Sequence, residues 1–100
     1  MTYSEYLKIR ELLELQQPCS DGPEHDETLF IIIHQVYELW FKQQLHETDR
    51  LCTCLVDNDI EVAMSTLKRM LTILKTMVGQ VDILETMTPI SFLSFRTFLS

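Results

Sequence analysis

Glycine and proline are scarce in this 100-residue chain, at two and three residues. A strand-rich fold with many tight turns needs more of both, so their scarcity favours long helices. Positive charge is scarce too: eight Lys and Arg stand against fifteen Asp and Glu, for a net charge of −7. A nucleic-acid or anionic-membrane partner requires clustered Lys and Arg, so neither is expected. The acidity itself is read as a solubility feature. No apolar run reaches the roughly 18 residues needed to span a bilayer. Met1-Thr2-Tyr3-Ser4-Glu5 has no basic region with an apolar stretch behind it, so no signal peptide and a cytoplasmic location are expected. There are three cysteines. Cys52 and Cys54 are two apart on an expected helix and point to different faces, which suits neither a disulfide nor a zinc site. Free thiols are the simpler reading for all three.

What is present is apolar and periodic. Hydrophobic residues make up 46% and charged residues 23%, enough for one small domain with a core and unlike a disordered tail. Four helical segments are expected. The first lies within 3–17, most regular over about 9–17, with Ile9, Leu12, Leu13 and Leu15 as its stripe and Thr2-x-x-Glu5 as a capping box. Two prolines and Gly22 break the chain over 17–23. The second runs over about 24–56, opening on Glu24, Asp26 and Glu27, which favour a helix start. Leu29, Ile33, Val36, Trp40, Leu51 and Leu55 follow one face, widened by Phe30, Tyr37 and Phe41. Asp57-Asn58-Asp59 ends it and caps a third helix over about 60–87. The stripe of that helix runs through Val62, Leu67, Met70, Leu71, Leu74, Met77, Val78, Val81 and Leu84. Thr88-Pro89 opens a fourth over about 89–99. The fold class is all-α, an antiparallel helical bundle.

Two residues stand out chemically. His34 sits among Phe30, Ile31, Ile32, Ile33 and Val36, where an imidazole needs a partner. It is either a core histidine bonded to a carbonyl or carboxylate, or one polar atom beside an apolar wall. Phe30, one turn earlier, would supply that wall for an aromatic ligand carrying an N–H. Arg96 lies in Phe92-Leu93-Ser94-Phe95-Arg96-Thr97-Phe98. It is either half of a structural ion pair or a fork for a carboxylate, with Phe92 on its own face. A di-iron site needs Glu-x-x-His motifs, and the positions three before His25, His34 and His46 are Gly22, Ile31 and Gln43. His46-Glu47 lacks the second histidine of a zinc protease motif. His25-Asp26-Glu27 reads as a solvated helix start rather than a ligand set.

Three blocks carry a resemblance. Pro23-Glu24-His25-Asp26-Glu27-Thr28-Leu29-Phe30 continues into Ile31-Ile32-Ile33-His34-Gln35-Val36-Tyr37-Glu38-Leu39-Trp40-Phe41-Lys42-Gln43. Thr2-Tyr3-Ser4-Glu5-Tyr6-Leu7 precedes it. Leu84-Glu85-Thr86-Met87-Thr88-Pro89-Ile90-Ser91-Phe92-Leu93-Ser94-Phe95-Arg96 follows it. In order and spacing these resemble the tryptophan 2,3-dioxygenases. The resemblance implies a part of a larger haem-enclosing helical fold, usually a homotetramer, acting in kynurenine-pathway catabolism. It implies haem as cofactor and L-tryptophan and O₂ as substrates, with N-formylkynurenine as product. It further implies that His34 is the distal histidine accepting the indole N–H and that Phe30 is the pocket wall. Arg96 would hold the substrate carboxylate with Phe92 beside it, and Tyr3 and Tyr6 would reach a neighbouring subunit's site. The axial haem histidine and a Gly-Phe-Gln loop belong beyond Ser100, so no histidine here is expected to bind the iron and the chain is expected to be an N-terminal fragment. The rival expectations are a non-catalytic helical oligomerisation module and a related haem enzyme acting on another aromatic amino acid.

Overall fold

The structure is a computed structural model that describes residues 1–20, 24–88 and 90. Its helices are α1 (Tyr3–Leu7), α2 (Ile9–Leu12), α3 (Glu27–Val56) and α4 (Ile60–Leu84), and there is no strand among the described residues. The chain divides into two compact units, one built on Met1–Ile32 and the other on Ile33–Met87. The helix expected over about 89–99 lies outside the described residues.

In the leading unit the expected 9–17 helix is short. Lys8 takes a left-handed conformation (φ 53°, ψ 46°) that separates α1 from α2, and α2 stops at Leu12. The reason is the lack of tertiary cover, since short helices draw most of their stability from packing an apolar face. Neither helix has a buried residue, and Leu13 and Leu15 are 69% and 61% exposed. Local polar bonds close the ends instead. Thr2 Oγ1 accepts from the Glu5 amide at 3.2 Å, half of the expected capping box. Gln16 Nε2 donates to the Leu12 carbonyl at 2.9 Å.

The second unit is a helical hairpin. Asn58 turns the chain with φ 58°, a conformation asparagine tolerates better than most residues, and Asp59 Oδ1 accepts from the Val62 amide at 3.3 Å. Among the buried and half-buried positions of α3, Ile33, Tyr37, Trp40, Gln44, Glu47, Leu51 and Cys54 form one row. Among those of α4, Ala63, Thr66, Met70, Ile73, Met77, Gln80 and Leu84 form another. Both sets alternate steps of three and four, the 3.5-residue period of helices that wrap around each other. Three contacts fix the register. Tyr37 Oη donates to the Met77 carbonyl at 2.9 Å, Gln44 Nε2 donates to the Met70 carbonyl at 2.9 Å, and Arg69 Nη1 lies 3.4 Å from Glu47 Oε1. The α4 partner retreats from 77 to 69 as α3 advances from 37 to 47, so the helices are antiparallel.

The stripe expected on α4 splits in two. Val62, Met70, Met77 and Leu84 turn inward, whereas Leu67, Leu71, Leu74, Val78 and Val81 join Ile60 and Met64 in a second, exposed stripe. This second stripe also steps by four and three, and its members are 44–66% exposed. Cys54 is buried while Cys52 and Cys19 are exposed, and all three are free thiols. No helix among the described residues is long and apolar enough to cross a membrane.

Candidate functional site

A groove of about 440 Å³ opens between α3 and α4 in the hairpin unit. His34, Glu38 and Phe41 line its α3 side, and Leu74, Val78, Val81 and Leu84 line its α4 side. Tyr37 and Met77, already tied by the hydroxyl-to-carbonyl bond, line it as well. The tie holds the two walls at a set separation. Tyr37 and Phe41 stack along α3 with ring centroids 6.3 Å apart, which keeps Phe41 turned along the groove. His34 is exposed. It shares the groove with the Glu38 carboxylate and with aliphatic and aromatic neighbours, an arrangement suited to a largely apolar ligand with a hydrogen-bonding group.

The other candidate residues sit on other elements. Tyr3 and Tyr6 lie three apart on α1, 75% and 73% exposed, so both rings are presented outward. Phe30 is buried, 7% exposed, in the leading unit. Phe92 and Arg96 lie outside the described residues. Of the four candidates among the described residues, His34 is the one that lines the groove.

The start of α3 differs from the solvated helix start expected of His25-Asp26-Glu27. His25 is exposed, but Glu27 is only 3% exposed and its carboxylate is fully engaged. Oε2 accepts from the Cys19 amide at 2.7 Å, and Oε1 accepts from the Ser20 hydroxyl at 2.5 Å and the Ser20 amide at 3.2 Å. The Ser20 hydroxyl and the Cys19 amide hold this carboxyl below the usual glutamate range. Burial opposes them, and the Ser20 amide adds to the lowering. Nothing in the spacing of Ser20 and Glu27 distinguishes this clamp from an ordinary acid at a helix start. The cross-helix bonds of Tyr37 and Gln44 were equally hidden, since a side chain's partner on another helix leaves no periodic mark.

Haem would need a slot that closes on both faces of a flat ring and an axial ligand. The groove offers one apolar floor, one imidazole and the Glu38 carboxylate and is open above, so the described residues do not make a haem site by themselves.

The sequence profile of the family described as tryptophan 2,3-dioxygenase matches residues 1–100. The chain is similar to the tryptophan 2,3-dioxygenase of Herpetosiphon aurantiacus, with 65% identity over 96 residues, covering 96% of this chain and 37% of that protein. It is 56% identical over 99 residues to that of an Anaeromyxobacter species, covering 99% of this chain and 37% of the relative. It is 44% identical over 108 residues to that of Aedes aegypti, covering all of this chain and 28% of the relative. The chain thus spans between a quarter and two fifths of the length of these relatives. With the profile matched from the first residue to the last, the chain belongs to the tryptophan 2,3-dioxygenase family.

Proposed function

We propose that this chain is the leading, substrate-reading part of a haem-dependent dioxygenase that adds both atoms of O₂ across the indole C2–C3 bond of L-tryptophan, giving N-formylkynurenine. The family match over residues 1–100 carries this reading. The groove adds physical support, because it pairs an exposed imidazole with an apolar floor. In this reading His34 accepts the indole N–H, Phe30 and Phe92 flank the ring and exclude water, and Arg96 grips the carboxylate with two parallel N–H···O bonds. Tyr3 and Tyr6, outward on α1, serve a neighbouring subunit of a homotetramer. Haem, when bound, would supply the oxygen chemistry. The cytoplasm and the kynurenine pathway are the matching setting.

The exposed 3.5-residue stripe of α4 favours a second reading, a non-catalytic module that works by helix association. One experiment separates the two. The protein is expressed with the natural downstream reading frame, haem content is measured, and products from tryptophan and O₂ are identified. Stoichiometric haem and N-formylkynurenine are expected. A folded, associated protein without haem would support the module, and turnover of another aromatic amino acid in preference to tryptophan would mark a related oxygenase.

A further inference from the structure

The carboxylate of Glu27 joins two parts of the leading unit that are separated in sequence. It sits in the first turn of α3, and all the bonds described for it come from Cys19 and Ser20, eight and seven residues earlier, on the segment that follows α2. An acid that merely favoured a helix start would point its oxygens at the amides of its own first turn or at water. Glu27 is instead 3% exposed and takes two backbone N–H groups and one hydroxyl, a charge-assisted set that resists opening. α1 and α2 bury no residue of their own, so apolar packing does little to fix the path of this segment.

We infer that Glu27 is a positioning residue: through Cys19 and Ser20 it fixes the path along which the segment bearing Tyr3 and Tyr6 leaves α3, and so sets where those two rings are presented. This rests on the reading that Tyr3 and Tyr6 belong to the substrate pocket. Ser20 is the second half of the device, because its hydroxyl and its amide both close on Oε1. Glu27→Asp keeps the charge but shortens the reach by one methylene, whereas Glu27→Gln keeps the shape but loses the charge.

The test has two arms. On the 100-residue chain, amide hydrogen exchange is measured for wild type, Glu27→Gln, Glu27→Asp and Ser20→Ala, with Cys19 thiol reactivity alongside. Exchange at Cys19 and Ser20 should rise about tenfold or more in Glu27→Gln, the loss expected from a charge-assisted bond. Ser20→Ala should give a smaller rise and Glu27→Asp a partial recovery, while exchange over 40–52 in the hairpin stays constant. In the haem-loaded enzyme with its downstream frame, the same variants should raise the KM for tryptophan several-fold and leave kcat within about twofold, with Glu27→Asp recovering part of the loss. Unchanged exchange at Cys19 and Ser20 would overturn the clamp. Raised exchange with an unmoved KM in an active enzyme would overturn the positioning role. If wild-type enzyme gave no tryptophan turnover at all, the functional reading would fail, and the exchange arm alone would still decide whether the clamp exists.

Discussion

The leading unit and the hairpin differ in what holds them. In the leading unit α1 and α2 bury nothing, their ends are tied by side-chain bonds to nearby backbone, and one buried carboxylate, Glu27, ties the following segment to α3. In the hairpin residues 33–56 of α3 and the 25-residue α4 run side by side along seams of period 3.5. There the polar bonds, from Tyr37 and Gln44 to carbonyls of α4, choose the register. Where little apolar area is buried, a few charged or hydroxyl bonds carry the geometry and are vulnerable to pH. Where much is buried, polar bonds mainly select among the several registers a 3.5-residue seam allows.

The largest expected effect tests whether burial divides the units in this way. Ile33→Ala, at a position 4% exposed, should destabilise the chain by about 2–5 kcal/mol in urea unfolding. Leu13→Ala, at a position 69% exposed, should stay within about 0.5 kcal/mol of wild type. Equal costs would erase the contrast. Tyr37→Phe keeps the ring and removes the bond to the Met77 carbonyl, so a loss of about 0.5–1.5 kcal/mol is expected from the same measurement. No loss would mean that apolar packing alone sets the register.

The pH dependence follows from Glu27, whose folded-state pKa is lowered, first by the Ser20 hydroxyl and then by the Cys19 amide. Its stabilising contribution is therefore complete above the ordinary glutamate range and is lost as pH falls through the lower folded value. Amide exchange at Cys19 and Ser20 should quicken on acidification, corrected for intrinsic rates, and Glu27→Gln should flatten that response. The smallest effect on stability is expected at the exposed stripe. Leu71→Glu combined with Val78→Glu should change unfolding by no more than about 1 kcal/mol, summing two surface substitutions. It should nonetheless reduce the self-association that exposed apolar patches promote, as read by light scattering at tens of micromolar. Unchanged scattering would move the associating surface elsewhere.

Much of the hairpin was legible in the sequence. Period 3.5–3.6 patterns marked α3 and α4, and Asp57-Asn58-Asp59 marked the turn between them, because burial and capping leave repeated residue types at fixed spacing. The split of the α4 stripe was not legible. Both stripes are apolar, and only the α3 seam decides which one is covered. The end of the first helix was hidden for the converse reason: Leu13 and Leu15 look like a helix face but meet no partner. His34 was legible as unusual, and its family blocks gave it a role, but its exposure at a groove needed coordinates. Glu27 was misread because a solvated and a clamped acid look identical in sequence.

The most direct test concerns His34 as the acceptor of the indole N–H. The measurement is kcat/KM for L-tryptophan and for its N1-methyl analogue, which has no N–H to donate, in haem-loaded enzyme with and without His34→Ala. Wild type should prefer tryptophan, and His34→Ala should remove about 2–10-fold of that preference, the worth of one neutral hydrogen bond. A preference that survives His34→Ala unchanged would contradict the assignment. A loss of about 10²–10⁴-fold on tryptophan alone would instead make His34 the base that removes the indole proton.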